Sequence, residues 1–275
     1  MNAYAGKATT QSSSLILLRE DVGKVAVLTL NRPQSLNSLS EAMLEALGDA
    51  LTAIAHDDRV RAVVLAANGP AFSAGHDLKE LNRHRADEDR GRAYFKHIFA
   101  TCSAMMQQIV TLPQPVVAAV QATATAAGCQ LVASCDLAVA ARTAKFATSG
   151  INVGLFCSTP MVALSRNVAR KHAAEMLLTG DMISAERAES IGLVNRVVAP
   201  GGERDEALKL ATIIAAKSAC AIKMGKQAFY RQLEMPLAEA YDYTSGVMVE
   251  NLLARDGEEG INAFIEKREP KWEDR

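Results

Sequence analysis

The sequence predicts an α/β protein with a helical C-terminal part. Two continuous apolar runs, residues 61–66 and 115–120, are typical of strands buried in a parallel sheet, because such strands are covered on both faces. Each run is followed by turn-forming or small residues and then by a helical pattern. From residue 160 onward the apolar periodicity is mostly helical. No linker rich in Gly, Ser or Pro separates the two parts.

The chain is predicted to begin with two short strands, residues 15–18 and 24–30, around a turn at residues 20–23. The second strand shows a weak period-2 alternation of small and large apolar residues. The sequence Asn-Arg-Pro at residues 31–33 predicts a further turn. These elements lead into the first helix.

The first helix is predicted to begin at residues 38–41, where Ser38 and Glu41 have the spacing of a capping box. It ends at the polar run of residues 56–58, just before the first buried strand. One face carries apolar residues at helical spacing, namely Leu44, Leu47, Leu51 and Ile54.

The alternation of helices and strands then recurs. A polar helix is predicted over about residues 87–110, ahead of the strand at 115–120. A helix of small residues follows at 126–134, and a strand at 136–140. This repetition supports the α/β assignment of the first part.

The last part begins with Ser184, which is predicted to cap a short helix ending at Gly192, and with a strand at 193–198. The predicted helices after it are residues 203–217, 222–233, 236–255 and 258–267. As domains we expect a disordered tail at 1–14, a core at 15–200 and a helical region at 201–275.

Composition argues against several classes of function. Lys plus Arg number 30 and Asp plus Glu number 31, so the net charge of −1 gives no overall attraction for nucleic acid or an anionic membrane. No apolar run reaches the roughly 20 residues of a membrane span. The five histidines have no ligand spacing and the five cysteines form no C-x-x-C pair, so no metal site is predicted.

The cysteine pattern also bears on the compartment. An odd number of irregularly spaced cysteines fits a reducing compartment better than a disulfide framework. Residues 1–14 lack the apolar core of a secretory signal and the Arg content of a transit peptide. We therefore expect a cytoplasmic protein, with the mitochondrial matrix as the alternative.

The first segment of chemical interest is residues 71–79, which follow a buried strand and a break at 68–70. Gly75 can adopt a backbone conformation closed to other residues, and this would turn the next N–H, on His76, out of the sheet edge. The alternative is an ordinary strand-to-helix turn capped by Asp77. Taken alone, the segment favours that alternative.

The second segment, residues 122–131, follows the strand at 115–120 and opens a helix. The N–H groups of a first helical turn lack internal partners, and the helix dipole favours negative charge there. Small residues at Ala126, Ala127 and Gly128 would let a ligand approach the backbone. The alternative is close packing of the helix on a strand.

These segments belong to a longer series of motifs, at residues 31–33, 36–37, 72–78, 115–136, 178–180, 192–194 and 264–268. In this order they resemble the crotonase superfamily, which includes enoyl-CoA hydratases and isomerases. The likeness extends from about Leu15 to Trp272. A narrower likeness, to the enoyl-CoA hydratase domain-containing protein 3 type, is carried by residues 126–136 and 154–160.

The resemblance implies a fold of ββα units wound into a superhelix, followed by a C-terminal helical trimerisation region. It implies a homotrimer or a dimer of trimers. The implied ligand is an acyl-CoA or enoyl-CoA substrate. No separate cofactor is implied, since coenzyme A is part of that substrate.

The resemblance also implies that the N–H groups of His76 and Ala127 form an oxyanion hole for the thioester carbonyl oxygen. The second position is commonly Gly in the family. Ala can serve if it has helical dihedrals, because helical φ is negative. Such a hole would stabilise the enolate-like oxygen that develops when water adds at C3, or when a proton or a carboxylate leaves C2.

The two carboxylates of the family's hydratases match Gln130 and Gly150, and neither residue is acidic. Gln130 can orient a water but cannot accept a proton at neutral pH, and Gly150 has no side chain. Because each general acid or base contributes about 10²–10⁴-fold, we expect classical hydratase activity to be weak or absent.

Other residues near the motifs have expected roles. His76 is the best titratable substitute for the two carboxylates, since imidazole has a pKa near neutrality. Cys157 is a candidate nucleophile, and the simpler alternative is that it packs as an apolar side chain. Asp77 and Asp136 match family positions as structural hydrogen-bonding residues. The cations that could contact coenzyme A phosphates are Arg32 and Lys79, with Lys267 and Lys271 acting across a subunit boundary.

The predicted site thus has two overlapping sets. The catalytic set is His76, Ala127 and Gln130. The substrate-binding set is Arg32, Leu36, Ala74, His76, Asp77, Leu78, Lys79, Ala126, Ala127, Ser149, Gly150 and Ser158.

Three functions remain open at this point. The first is an acyl-CoA enzyme, either a hydratase or another crotonase-type isomerase, thioester hydrolase or decarboxylase. The second is a non-catalytic acyl-CoA-binding protein. The third is an assembly subunit in which the core serves only for packing.

Overall fold

The computed structural model describes residues 15–275, so the predicted tail at residues 1–14 lies outside the described residues. The strands are β1 Leu17–Val22, β2 Val25–Leu30, β3 Ala62–Ala67, β4 Ala71–Ser73, β5 Val116–Val120, β6 Thr123–Thr125, β7 Leu137–Ala141, β8 Lys145–Ala147, β9 Ile183–Ser184 and β10 Arg196–Val198. The α-helices are α1 Glu41–Ala55, α2 Leu78–Arg83, α3 Arg92–Thr111, α4 Ala127–Ser134, α5 Ser158–Asn167, α6 Arg170–Thr179, α7 Ala185–Ser190, α8 Glu203–Ala215, α9 Ala219–Gln232, α10 Leu237–Leu253 and α11 Arg255–Glu266. Within residues 15–275, no helix is long and apolar enough to cross a membrane.

The larger sheet has six strands in the order β1-β2-β3-β5-β7-β10. β1 and β2 are antiparallel, and the other neighbouring strands are parallel, with Val63 beside Val116 at the centre. The apolar runs predicted as buried strands are β3 and β5. Both are buried almost throughout, which explains why their sequences are continuously apolar rather than alternating.

Helices cover both faces of this sheet. On one face α1 buries the predicted apolar stripe, Leu44, Leu47, Leu51 and Ile54. On the other face α8 packs small residues against the strands, and these are Ala207, Ala211 and Ala215. The domain division at residue 200 stays a prediction, although α8, which lies beyond it, covers the sheet.

A second, smaller sheet has the order β4-β6-β8-β9. β4, β6 and β8 run parallel, and β9 is antiparallel to β8. Its strands are only two or three residues long, too short to show a period-2 pattern, so the sequence did not predict them. This sheet nevertheless aligns the chain segments that build the site.

The predicted turn at residues 20–23 is wrong in its position. Residues 20–22 continue β1, and the chain reverses at Gly23, which has a φ of 60°. β1 is an edge strand with exposed polar side chains, as at Arg19 and Asp21. It therefore lacks the apolar signal of the buried strands.

The capping box predicted at the start of α1 is also wrong. Ser40, rather than Ser38, is the N-cap, and its hydroxyl accepts a hydrogen bond of 3.3 Å from the Met43 N–H. The Ser38 hydroxyl instead lies 3.2 Å from a carboxylate oxygen of Asp77 and donates to it. Two serines two positions apart offered the same local signal, and the tertiary contact distinguishes them.

The last three helices, α9 to α11, agree closely with the predicted helical region. Many of their apolar side chains are exposed, including Leu253 at 76% and Phe264 at 85%. α9 is tied to the core by Asp136, whose carboxylate lies 2.7 Å from Lys226 Nζ and accepts a 2.9 Å hydrogen bond from the Tyr230 hydroxyl. The contact supports the predicted structural role of Asp136.

Candidate active site

Gly75 holds the first loop against the second. It follows β4 and has a φ of 86°, a region open mainly to glycine. A Cβ at this position would lie 3.0 Å from both Ala126 Cβ and the Ala127 nitrogen. The Gly75 carbonyl accepts a 2.8 Å hydrogen bond from the Leu39 N–H, so this turn is fixed on both sides.

Gly128 holds helix α4 against β4. A Cβ on Gly128 would lie 2.1 Å from the Ser73 carbonyl oxygen, so only glycine allows this approach. β4 and β6 pair in parallel, with Ser73 beside Ala124, and α4 begins shortly after β6. The close-packing interpretation of Gly128 is therefore the one that the geometry supports, and this packing brings the two loops together.

Ala126, immediately before α4, has an unusual backbone. Its φ is 50° and its ψ is −119°, a conformation that carries strain in a residue with a Cβ. Its N–H donates to the Ala147 carbonyl at 2.9 Å, within the extension of the β6–β8 pairing. Ala127 itself is not among the residues with positive φ, so the condition for Ala at the second donor position is met.

The N–H groups of His76 and Ala127 have no hydrogen-bond acceptor among residues 15–275. Ala127 is the first residue of α4, where an N–H has no intrahelical partner. Both residues line one cavity. Two unsatisfied donors at such a surface can bind an oxygen that carries partial negative charge.

This central cavity has a volume of about 400 Å³. No acidic residue lines it among the described residues, and its side chains are mostly apolar. The lining residues are Ala74, His76, Leu78, Leu81, Phe99, Ala126, Ala127, Ser149, Gly150, Val153, Leu155, Phe156, Cys157, Ser158, Thr159 and Pro160.

The structure brings together eight of the predicted substrate-binding residues, which are Ala74, His76, Leu78, Ala126, Ala127, Ser149, Gly150 and Ser158. Sequence reasoning missed several lining residues, including Leu81, Phe99, Val153 and Phe156. Phe99 lies within a long polar helix pattern, Val153 ends a short 3-10 helix, and Phe156 lies in the irregular stretch that follows. Periodicity gives no signal for these three positions.

The His76 imidazole is enclosed rather than solvated. Both ring nitrogens are buried and lack hydrogen-bond partners, and the ring packs edge-on against Phe99 with centroids 5.0 Å apart. Burial lowers the pKa of His76, and the interaction with the Leu39 backbone, which raises that pKa, is the smaller effect. The ring is therefore neutral at pH 7, and no carboxylate accompanies it in the cavity.

Gln130 lies behind the cavity wall rather than in it. It is 5% exposed, and its side-chain Oε1 is buried without a hydrogen-bond partner. The backbone N–H of Gln130 donates to the Ala126 carbonyl at 3.0 Å, as expected in the first turn of α4. Gln130 is not among the lining residues, so its predicted catalytic role lacks contact with the cavity.

At Gly150 the space for a side chain is occupied. A Cβ here would lie 2.6 Å from the Leu155 carbonyl oxygen and 2.8 Å from Cys157 Sγ. The Gly150 N–H donates to the same sulfur at 3.3 Å. Burial raises the pKa of the Cys157 thiol, which keeps it protonated and favours packing over a nucleophilic role.

The predicted polar binding residues lie in a neighbouring cavity of about 420 Å³, which Arg32, Asp77 and Lys79 line together. Asp77 is the N-cap of α2 and accepts from the Lys79 and Glu80 N–H groups. Burial alone would raise the pKa of Asp77, but the hydrogen bond from Glu80 N–H leads the effects that lower it. Arg32 forms a 3.4 Å ion pair with Asp77.

Leu36, Lys267 and Lys271 lie outside the central cavity. The Leu36 side chain is 46% exposed, and its backbone carbonyl accepts a 3.0 Å hydrogen bond from the Ala74 N–H. Lys267 ends α11 with a φ of 56°.

Within residues 15–275, no group of three His, Cys, Asp or Glu side chains is arranged to hold a metal ion.

Comparison with known proteins identifies the family. A profile described as enoyl-CoA hydratase/isomerase matches residues 20–275. The human mitochondrial enoyl-CoA hydratase domain-containing protein 3 is 48% identical over 245 residues, which cover 89% of this chain and 79% of the human protein. A probable enoyl-CoA hydratase of Rhizobium meliloti is 36% identical and covers 94% of this chain and 98% of its own.

Solved structures agree with this assignment. The crystal structure of an enoyl-CoA hydratase from Mycobacterium smegmatis has a TM-score of 0.89 and 55% identity, covering 94% of this chain and 99% of its own. The human enoyl-CoA hydratase domain-containing protein 3 structure has a TM-score of 0.89 and 45% identity, covering 94% and 100%. The fold, the site geometry and these likenesses agree, and the chain belongs to the enoyl-CoA hydratase/isomerase family, the crotonases.

Proposed function

We propose that this chain binds an acyl-CoA or enoyl-CoA thioester and polarises its carbonyl between the N–H groups of His76 and Ala127. The observation that carries the proposal is the pair of unpartnered donors on the wall of an apolar cavity. Apolar walls strengthen such hydrogen bonds by excluding water. One donor of an oxyanion hole contributes about 3–4 kcal/mol to the transition state.

We further propose that classical hydration is weak. Addition of water to an enoyl thioester needs groups that take a proton from water and deliver one to C2. No acid lines the central cavity in the described part of the chain, and the family's two carboxylate positions match Gln130 and Gly150. Ser149, Ser158 and Thr159 supply hydroxyls, which are poor bases at neutral pH.

Two measurements test these proposals separately. Isothermal titration with butyryl-CoA should show saturable binding, and its absence would contradict the binding proposal. Hydration of crotonyl-CoA should be far below the ~10 s⁻¹ typical of enzymes. A rate at or above that value would contradict the proposed weakness while leaving binding intact.

Ala127→Pro tests the oxyanion hole. Proline lacks the N–H, and a first helical position is where proline is best tolerated. We expect any acyl-CoA turnover to fall by about 10²–10³-fold, with the helical circular dichroism retained. Turnover unchanged by the substitution would contradict the assignment of this donor.

A non-catalytic acyl-CoA binder is the second candidate, favoured by the same lack of acidic lining residues. Among catalytic alternatives, decarboxylation of a 2-carboxyacyl thioester makes the least demand on the protein, because the departing CO₂ leaves its electron pair on the enolate. Isomerisation requires a group that carries a proton between carbons, and thioester hydrolysis a base or nucleophile. A panel of enoyl-, malonyl- and β-hydroxyacyl-CoA substrates distinguishes these reactions from simple binding.

Assembly, cofactor and compartment complete the proposal. The exposed apolar side chains of α9 to α11 support a homotrimer or a dimer of trimers, which sedimentation would reveal. We propose that no separate cofactor is required. The name of the human relative places that protein in mitochondria, which supports the mitochondrial matrix and gives no support to the expected cytoplasm.

A further inference from the structure

The central cavity continues into a second apolar space. This outer groove, of about 480 Å³, is lined by Leu78, Lys79, Leu81, Asn82, Arg85, Phe95, Phe99, Val153 and Leu155. Five of these residues also line the central cavity, namely Leu78, Leu81, Phe99, Val153 and Leu155. A ligand held at His76 and Ala127 can therefore extend into the groove along a continuous apolar surface.

One cation of the outer groove, Arg85, is restrained by an aromatic ring. The Arg85 guanidinium lies over the Phe95 ring, 5.9 Å from its centroid, and both residues line the groove. Gly91, with a φ of 83°, leaves the space that the Phe95 ring occupies, since a Cβ at position 91 would lie 2.8 Å from Phe95 Cζ. An aromatic face restrains the guanidinium that it contacts.

No carboxylate pairs with Arg85 among residues 15–275. Asp87, two positions along, lies 2.9 Å from His84 Nδ1. Asp89 accepts hydrogen bonds from the Gly91 and Ala93 N–H groups. The positive charge of Arg85 is therefore available to a ligand in a groove whose other lining residues, apart from Lys79 and Asn82, are apolar.

We propose that the outer groove accepts an acyl chain whose far end is a carboxylate, so that the preferred ligand is an ω-carboxyacyl-CoA thioester. This inference rests on the proposed thioester binding. An apolar chain matches the walls, and Arg85 forms a charge-assisted hydrogen bond with the terminal carboxylate. The groove's other cation, Lys79, also lines the cavity of Arg32, where it is expected to contact coenzyme A phosphates. Arg85 lines the outer groove and not that cavity, so it is the cation assigned to the acyl end.

The test compares two thioesters of equal length, decanedioyl-CoA with one free carboxylate and decanoyl-CoA, by isothermal titration with the full chain. The wild-type protein should bind decanedioyl-CoA more tightly than decanoyl-CoA. Arg85→Gln should weaken decanedioyl-CoA binding about tenfold and leave decanoyl-CoA binding unchanged. Arg85→Lys should keep most of the affinity, and Arg92→Gln, an exposed control on the same segment, should change neither.

Equal or tighter binding of decanoyl-CoA by the wild type would overturn the proposal, as would equal effects of Arg85→Gln on the two ligands. Chain length gives a second measurement. The advantage of the terminal carboxylate should peak at one length in a series from hexanedioyl-CoA to tetradecanedioyl-CoA, and an advantage independent of length would contradict a fixed position for Arg85. Failure of the wild type to bind butyryl-CoA would instead contradict the underlying thioester binding.

Discussion

The two walls of the central cavity are held in different ways. The wall that carries the His76 and Ala127 N–H groups rests on β4, β6 and α4, where glycine contacts fix the backbone. The facing wall, residues 149–159, consists of a short 3-10 helix at Ser149–Val153, an irregular stretch and the start of α5, with Val153, Leu155 and Phe156 exposed. The comparison teaches that the positions of the two N–H groups depend on packed backbone, whereas the facing wall presents exposed apolar side chains and, among the described residues, no acidic one.

The largest expected effect comes from overpacking the scaffold wall. Gly128→Ala places a Cβ 2.1 Å from the Ser73 carbonyl oxygen, and backbone on both sides prevents an easy adjustment. We expect a loss of at least ~3 kcal/mol in the free energy of unfolding, measured by urea denaturation. In the control, Gly225→Ala in α9, where nothing lies within 4 Å, stability should rise by about 0.5–1 kcal/mol. Equal effects of the two substitutions would contradict the role of this contact.

The facing wall is tested by introducing an acid. Gly150→Glu should cost about 1–3 kcal/mol of stability, because Leu155 and Cys157 occupy the space of the new side chain. We expect no gain in crotonyl-CoA hydration from this substitution, alone or combined with Gln130→Glu. An increase of about 10²-fold or more, the usual contribution of a general base, would show that the wall accommodates a working carboxylate.

A smaller effect is expected at the junction of the two loops. Ala126 has a φ of 50°, and Gly adopts this region without the steric cost of a Cβ. Ala126→Gly should therefore stabilise the protein by about 1 kcal/mol, seen as a higher urea midpoint. A loss of stability would mean that the Ala126 Cβ contact outweighs the strain.

The smallest effect concerns pH. Burial lowers the pKa of His76 in the folded protein, so the unfolded chain binds its proton more readily. The stabilisation that depends on the neutral His76 ring is present in full above the ordinary histidine pKa of about 6.5. It is lost as the pH falls from there toward the lower pKa of His76 in the folded protein. The difference in unfolding free energy between pH 7.5 and pH 5.5 should shrink by up to ~1 kcal/mol in His76→Phe. An unchanged difference would show that the His76 imidazole contributes nothing to this pH dependence.

The sequence predicted the elements whose signal is long and local. β3 and β5 are continuous apolar runs, and α1 has a full apolar stripe, so pattern alone located them. The family motifs likewise pointed to His76 and Ala127, which line the central cavity together. The strands of the small sheet were missed because two or three residues cannot express a period.

What the sequence could not supply are contacts between distant segments. The proximity of Gly128 to Ser73, and of Gly150 to Leu155, depends on how separate loops meet. For the same reason Gln130 was predicted to act in the site although its side chain lies behind the wall. A motif identifies a position along the chain, whereas access to a cavity is a property of the folded surface.

The filled space at Gly150 also bears on how the family can change. An acid lost by substitution alone would leave a vacancy that a single reversion could fill. Here a backbone carbonyl and a sulfur occupy that volume, so a carboxylate at position 150 requires the turn at residues 150–157 to be rebuilt together with the side chain. The main chain thereby fixes the absence of an acid at this position, and introducing one would need several coordinated mutations.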